Sequence, residues 1–211
     1  MTAQPWVLAT RNAGKLRELR PLFTDAGIAV VDLSDVGLAE SPEEAGVEAF
    51  ETFEENALAK ARWFAARLPG RAVVADDSGL EVVALGGAPG VRSRRWSGRT
   101  DLSGEALDSA NNALLLERLD GALDRRARFV CAAAWYEGGR ECVVRGEVEG
   151  MIVPPGETAG THGFGYDPLF HVRELGMTLA EASVAEKQSV SHRGRAFVRL
   201  LAAVRQLTDT P

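Results

Sequence analysis

The sequence predicts an α/β protein built on a mixed sheet. Short apolar runs alternate with amphipathic helical stretches through the first half, and a hairpin signal interrupts the second half. A long apolar stripe with helical spacing closes the chain. In order, WVLAT (6–10) reads as a short buried strand, and GKLRELRPLF (14–23) as a helix with Leu16, Leu19, Leu22 and Phe23 on one face. IAVVDL (28–33) is a second strand. ETFEENALAKARWFAARL (51–68) is a strong helix, with a stripe of Phe53, Ala57, Phe64 and Leu68 and a stop at Pro69-Gly70. RAVVAD (71–76) and GLEVVAL (79–85) read as two separate strands, and SGEALDSANNALLLERL (103–119) as a helix. RARFVCAAAWY (126–136) and RECVVRGEVEG (140–150) flank the turn Glu137-Gly138-Gly139-Arg140. The last helix starts near Ser191 and carries Phe197, Leu200, Leu201, Val204 and Leu207. There is no internal repeat, low-complexity segment or clear linker. The expectation is one domain over residues 1–211.

The totals exclude several classes. Hydrophobic content of 45% with 26% charged residues is ordinary for a globular domain. No apolar run approaches the ~20 residues of a membrane span, and MTAQPWVLAT lacks the features of a signal peptide. A cytoplasmic protein is expected, with no membrane partner. The net charge of −6 argues against binding a nucleic acid polymer but leaves room for a small anion in a local basic pocket. Cys131 and Cys142 read as reduced thiols in apolar strands. The three histidines show no zinc spacing.

Five stretches can carry chemistry. In ATRNAGK (9–15) a strand gives way to a helix, whose free N–H groups suit phosphate. Thr10 and Asn12 add polar groups and Lys15 a charge. The alternative is an Asn12 N-cap with a solvated Lys15. The stretch is not a Walker A loop, because Ala9 and Leu16 stand where that motif needs Gly and Ser or Thr. In ADDSG (75–79) two acids end a strand, where a carboxylate can hold a divalent cation or orient water. By alternation Asp76 and Asp77 face opposite ways, so one of them serves a cleft. Arg92, Arg94, Arg95 and Arg99 follow, either to neutralise phosphate or as a solvated run. In SPEEAG (41–46), Glu43 or Glu44 could complete a cation site; the rival reading is a capping box of Ser41, Pro42 and Glu44. In THGFGYDPLF (161–170), Phe164 or Tyr166 could stack on a flat base or plug the core. In EKQSVSHRGRA (186–196), Lys187, His192 and Arg193 gather donors at a helix start, where basic charge opposes the macrodipole and an anion or a base carbonyl would relieve it. A magnesium-bound nucleoside triphosphate satisfies four of them: the helix start, the acid pair, the aromatic-glycine loop and the basic corner.

ATRNAGKLREL (9–19), TFEENALAKA (52–61), ADDSGLEVVALGGAPGVRSRRWSG (75–98), GFGYDPLF (163–170) and EKQSVSHRGRA (186–196) give the chain a family resemblance. In order and across nearly its whole length, it resembles the inosine/xanthosine triphosphate pyrophosphatases. That resemblance implies an elongated mixed-sheet α/β fold with two lobes, a central nucleotide-binding cleft and a homodimer. It implies Mg²⁺-dependent hydrolysis of noncanonical purine nucleoside triphosphates (ITP, dITP, XTP) to the monophosphate and pyrophosphate. Carried onto this chain, Thr10, Arg11, Asn12, Ala13, Gly14 and Lys15 would line the triphosphate site. Asp77 would be general base and metal ligand, and Ser78 a substrate contact. Phe164, Gly165, Tyr166, Asp167, Lys187, His192 and Arg193 would hold the nucleotide, largely at its base. Glu43, with Glu44 as alternate, would be the second metal ligand. Two departures stand out: Arg11 is bulky for its position, and VEAFE (47–51) lengthens the spacing before TFEENA. Two rivals remain. One is a nucleotide sensor without turnover. The other is a dimeric aspartic protease, suggested by Asp77-Ser78-Gly79 alone.

Overall fold

The computed structural model describes residues 4–209. In chain order its elements are β1 (Trp6–Leu8), α1 (Ala13–Asp25), β2 (Val30–Asp32), α2 (Phe53–Arg67), β3 (Val73–Val82), α3 (Gly104–Arg118), β4 (Arg126–Glu137), β5 (Arg140–Ile152), β6 (Phe170–Val172), β7 (Met177–Thr178), α4 (Val184–Val190) and α5 (His192–Asp209). The strands form one mixed sheet in the order β2-β1-β3-β4-β5-β6-β7. β1 runs parallel to both neighbours, with Val7 opposite Val31 and Val73, while β6 is antiparallel to β5 and β7. The α/β class read from the sequence is the class observed.

One strand corrects the sequence reading. Residues 71–85 hold a single ten-residue strand, β3, that runs straight through Asp76, Asp77, Ser78 and Gly79. Acids and glycine are poor strand formers, which suggested a break. The break falls in β1 instead: its pairing with β3 stops at Leu8–Val74. The two acids therefore lie just past the end of a neighbouring strand, on continuous backbone. A smaller departure is Leu207. It continues the α5 stripe but is 41% exposed, whereas Phe197, Leu200, Leu201 and Val204 are buried. No helix among the described residues is long and apolar enough to cross a membrane.

The described chain divides into two compact units. The first takes the residues up to Asp77, Cys131–Gly146 and those from Arg193 onward; the second takes Ser78–Val130 and Glu147–His192. The core of the first unit packs Leu8, Leu19, Phe23, Val74, Trp135 and Phe197. Phe23 meets Phe197 edge-on at 5.8 Å between ring centroids. The core of the second packs Leu80, Leu115, Phe129, Tyr166, Leu169 and Phe170, with Phe129 and Phe170 at 4.6 Å. A side chain fully buried in this way contributes roughly 1.5–3 kcal/mol, so each unit has the makings of its own stable core.

Candidate active site

In the first unit a charged centre forms around β3. α1 begins as the capping pattern dictates. Asn12 Oδ1 accepts from the backbone N–H of Gly14 at 2.8 Å and of Lys15 at 3.2 Å. Thr10 Oγ1 accepts from Asn12 N at 3.2 Å. The cap alternative thus holds, but its companion, a solvated lysine, does not. Lys15 Nζ lies 2.8 Å from Asp76 Oδ2, and its side chain is only 14% exposed. Arg11 turns away: its guanidinium grips Glu44 with two bonds of 2.7 and 2.8 Å and reaches the Leu38 carbonyl at 3.1 Å.

Asp76 and Asp77 have opposite electrostatic fates. Burial pushes Asp76 toward its neutral form, but the charges of Lys15, Arg193 and Lys60 outweigh it and hold the carboxyl well below the usual carboxylate range. For Asp77, burial wins. Lys15, Lys60 and a hydrogen bond from Asn56 pull down and the nearby Glu48 charge pushes up, leaving its pKa raised to about 6. Asp77 Oδ2 accepts from Asn56 Nδ2 at 2.9 Å. The amide of Asn56, on α2, also closes a pair of bonds to the Phe50 backbone, at 2.9 Å to its N–H and 3.1 Å to its carbonyl. That pair anchors the segment carrying Glu48. Glu48 is ion-paired with Lys60, whose own pKa stays raised because Glu48, Asp76 and Asp77 outweigh its burial.

The sequence reading did not single out Glu48, Asn56, Lys60 or Glu18. Glu48 and Asn56 did leave a signal: the lengthened VEAFE segment carries the first, and TFEENA the second. The acids it did choose are occupied elsewhere. Ser41 caps a 3₁₀ turn over Pro42–Gly46, with Glu44 reaching back to its N–H at 3.1 Å, so the capping box is real. Glu43 is 70% exposed and ion-pairs with Arg67 at 2.8 Å. Arg193 also departs from expectation. Instead of standing open to a ligand at the start of α5, it is buried and pairs with Glu18 of α1 and, at 3.4 Å, with Asp76. Those carboxylates offset its position at a helix N-terminus.

In the second unit the loop 163–167 forms a compact group with α4. Asp167 is 3% exposed, and its Oδ2 accepts from Lys187 Nζ at 2.6 Å and from Phe164 N at 2.8 Å. The Lys187 ammonium lies 5.1 Å from the centre of the half-buried Phe164 ring, within cation–π range. A Cβ on Gly163 would fall 2.1 Å from Asp167 Oδ2 and so displace that carboxylate, and the φ of +81° itself favours glycine. Tyr166 takes the core-plug alternative: it is buried and donates its hydroxyl to the Ser93 carbonyl at 2.8 Å. His192 stacks on Phe129 with centroids 4.8 Å apart. Ser78 is half-buried on β3. Arg92, Arg94, Arg95 and Arg99 are all exposed, with Arg99 paired to Asp101, in keeping with the solvated reading.

These observations define a mixed α/β protein that buries carboxylates beside lysines and an arginine. The chain belongs to the Ham1 family, whose model matches residues 6–203. It is 51% identical to the dITP/XTP pyrophosphatase of Mycobacterium tuberculosis, with 95% of each chain covered. It is 49% identical to the dITP/XTP pyrophosphatase of an Exiguobacterium species, over 94% of this chain and 95% of that one. Among solved structures, the Staphylococcus aureus Ham1 protein superposes with a TM-score of 0.79 at 37% identity, covering 96% of this chain and 99% of the other. A nucleoside-triphosphatase, or dITP/XTP pyrophosphatase, from Mycobacterium abscessus gives 0.70 at 42% identity, covering 95% and 100%.

Proposed function

We propose that this protein is a nucleoside triphosphate pyrophosphatase. It hydrolyses ITP, dITP and XTP to the monophosphate and pyrophosphate and so clears noncanonical purines from the nucleotide pool. The observation that carries the reading is the Asp76–Asp77 pair on β3. Asp76 is held ionised as the anchor of Lys15 and Arg193, while Asp77 keeps a pKa of about 6. A carboxylate with that value is ionised at neutral pH yet basic enough to take a proton from water.

In this reading the Asp77 carboxylate accepts the proton of the attacking water. A water oxygen–phosphorus bond forms as the anhydride bond breaks, and pyrophosphate leaves. Lys15 and the positive end of the capped α1 helix, with Thr10, Asn12 and Gly14, offset phosphate charge. Arg11, bound to Glu44, shapes that segment from outside. Mg²⁺ commonly takes one or two carboxylates and leaves its other positions to phosphate and water. Asp77 fits that pattern, because its burial penalises an uncompensated charge. Glu48 is also ion-paired, with Lys60, but its charge, unlike those of Glu43 and Glu44, bears directly on Asp77, which makes it the better second ligand. When bound, the ion supplies positive charge against the triphosphate.

Phe164 offers a face for the base, with Asp167, Lys187 and His192 around it. A donor such as Lys187 favours the 6-oxo group of hypoxanthine over the amino group of adenine. Arg193 supports Asp76 rather than the base. We take the chain as a single domain that acts in the cytoplasm as a homodimer. The test is turnover of ITP, XTP, ATP and GTP by purified protein with and without Mg²⁺. ITP or XTP should turn over far faster than ATP and GTP, and only with the metal; equal rates on ATP would sink the reading.

A further inference from the structure

Gly165 is held by both of its backbone polar groups, and both partners come from α3. Asp108 Oδ2 accepts the Gly165 N–H at 2.8 Å, and Asn112 Nδ2 donates to the Gly165 carbonyl at 3.0 Å. Residues four apart lie one above the other on a helix face, so the two side chains form a fork spaced to straddle one residue. Gly165 has φ +62°, a conformation that favours glycine. The adjoining Phe164 N–H is fixed independently by Asp167, the carboxylate that also binds Lys187. The next residue, Tyr166, is anchored through its hydroxyl to Ser93. The same helix secures the 94–97 segment: Asn111 donates to the Arg94 carbonyl at 3.0 Å and accepts from Ser97 N at 2.8 Å.

Stability alone is a poor account of this fork. Asn112 Oδ1 is buried and, among the described residues, finds no hydrogen-bond partner. A buried unpaired oxygen is a cost that an isosteric leucine would avoid. What the amide does supply is one donor aimed at one carbonyl. We infer that Asp108 and Asn112 are positioning residues: by clamping Gly165 they fix the Phe164 ring against Lys187 and preorganise the slot for the purine base. This rests on the proposed function, in which Phe164 and Lys187 meet the base. Preorganised contacts spare the ligand the cost of ordering the loop on binding, and a loose supporting shell forfeits that gain. Neither residue was singled out in the sequence, since both look like ordinary polar positions on a helix.

The test is steady-state kinetics on ITP for Asp108→Ala, Asn112→Leu and Asp108→Asn, with folding checked by circular dichroism. Asp108→Ala and Asn112→Leu should each raise KM about tenfold while kcat stays within about twofold, the pattern of lost ground-state positioning. Asp108→Asn keeps an oxygen acceptor for the Gly165 N–H and should retain the wild-type KM, which a merely stabilising role would not single out. If Asp108→Ala fails to fold, Asn112→Leu decides alone, because it matches the amide in shape and loses only the polar atoms. Unchanged KM in the folded variants, beside a wild type that hydrolyses ITP, overturns the clamp and leaves the function standing. A wild type that does not turn over ITP overturns the function, and the clamp with it.

Discussion

The charged centre on β3 and the loop 163–167 both bury ionised groups, but they settle them differently. In the loop the books close: Lys187 meets Asp167, Asp167 meets the Phe164 N–H, and Gly165 is held at both ends. At β3, Asp76 is well compensated while its neighbour Asp77 is pushed the other way, with Glu48 adding to the strain of burial. Under the proposed function, the contrast is between a preformed recognition surface and a reaction centre whose charge balance a cation and a substrate would complete. If that is right, removing a group should have opposite effects in the two places. At Asp77 it should abolish activity and stabilise the protein. In the loop it should weaken structure or binding and leave the chemistry alone.

The largest effect is expected for Asp77→Asn. Loss of the base should lower kcat by about 10²–10⁴-fold, while the amide still accepts from Asn56 and the fold persists. Near-normal turnover would remove Asp77 from its role. Next comes pH dependence without metal. The folded pKa of Asp77, about 6, lies above the ordinary aspartate value of 3.8, so the folded state binds more protons between those values. Stability should therefore fall as pH rises through that window, by at most about 3 kcal/mol. Urea unfolding in a chelator should show the fall in the wild type and not in Asp77→Asn. Asp76 has the opposite sign. Its folded pKa is depressed, so its contribution is present above the ordinary aspartate value of 3.8 and is lost as pH falls further.

Two smaller effects sharpen the comparison. Glu48→Gln should reduce activity at least about tenfold and raise the Mg²⁺ concentration needed, as expected when a group near a metal is lost. Glu43→Gln, which loses only an exposed ion pair with Arg67, should leave both unchanged. A magnesium titration of the two variants decides between them. Tyr166→Phe should cost about 1 kcal/mol by unpairing the Ser93 carbonyl, read by denaturant unfolding, with kcat close to wild type.

Local chemistry was legible in the sequence. The Asn12 cap, the Ser41 capping box, the α2 stripe and the Gly138-Gly139 turn follow from spacings of a few residues, and all are present. What the sequence hid depends on distant partners. β3 persists through Asp76 to Gly79 because sheet context overrides weak strand propensity. The short strands β6 and β7 and the seven-residue helix α4 carry too little periodicity to be read. Arg193 looked like an open donor because Glu18, which binds it, lies 175 residues away. Glu48 was masked by the more obvious Glu43-Glu44 pair. Asp77 was legible as one of two acids, but only burial and the charges around it tell the two apart.

The most direct measurement is the product balance of ITP hydrolysis with Mg²⁺ present. The protein should release one pyrophosphate for each inosine monophosphate formed, with no orthophosphate preceding it, and Asp77→Asn should release neither. Orthophosphate as the first product, or equal pyrophosphate release by Asp77→Asn, would contradict the account.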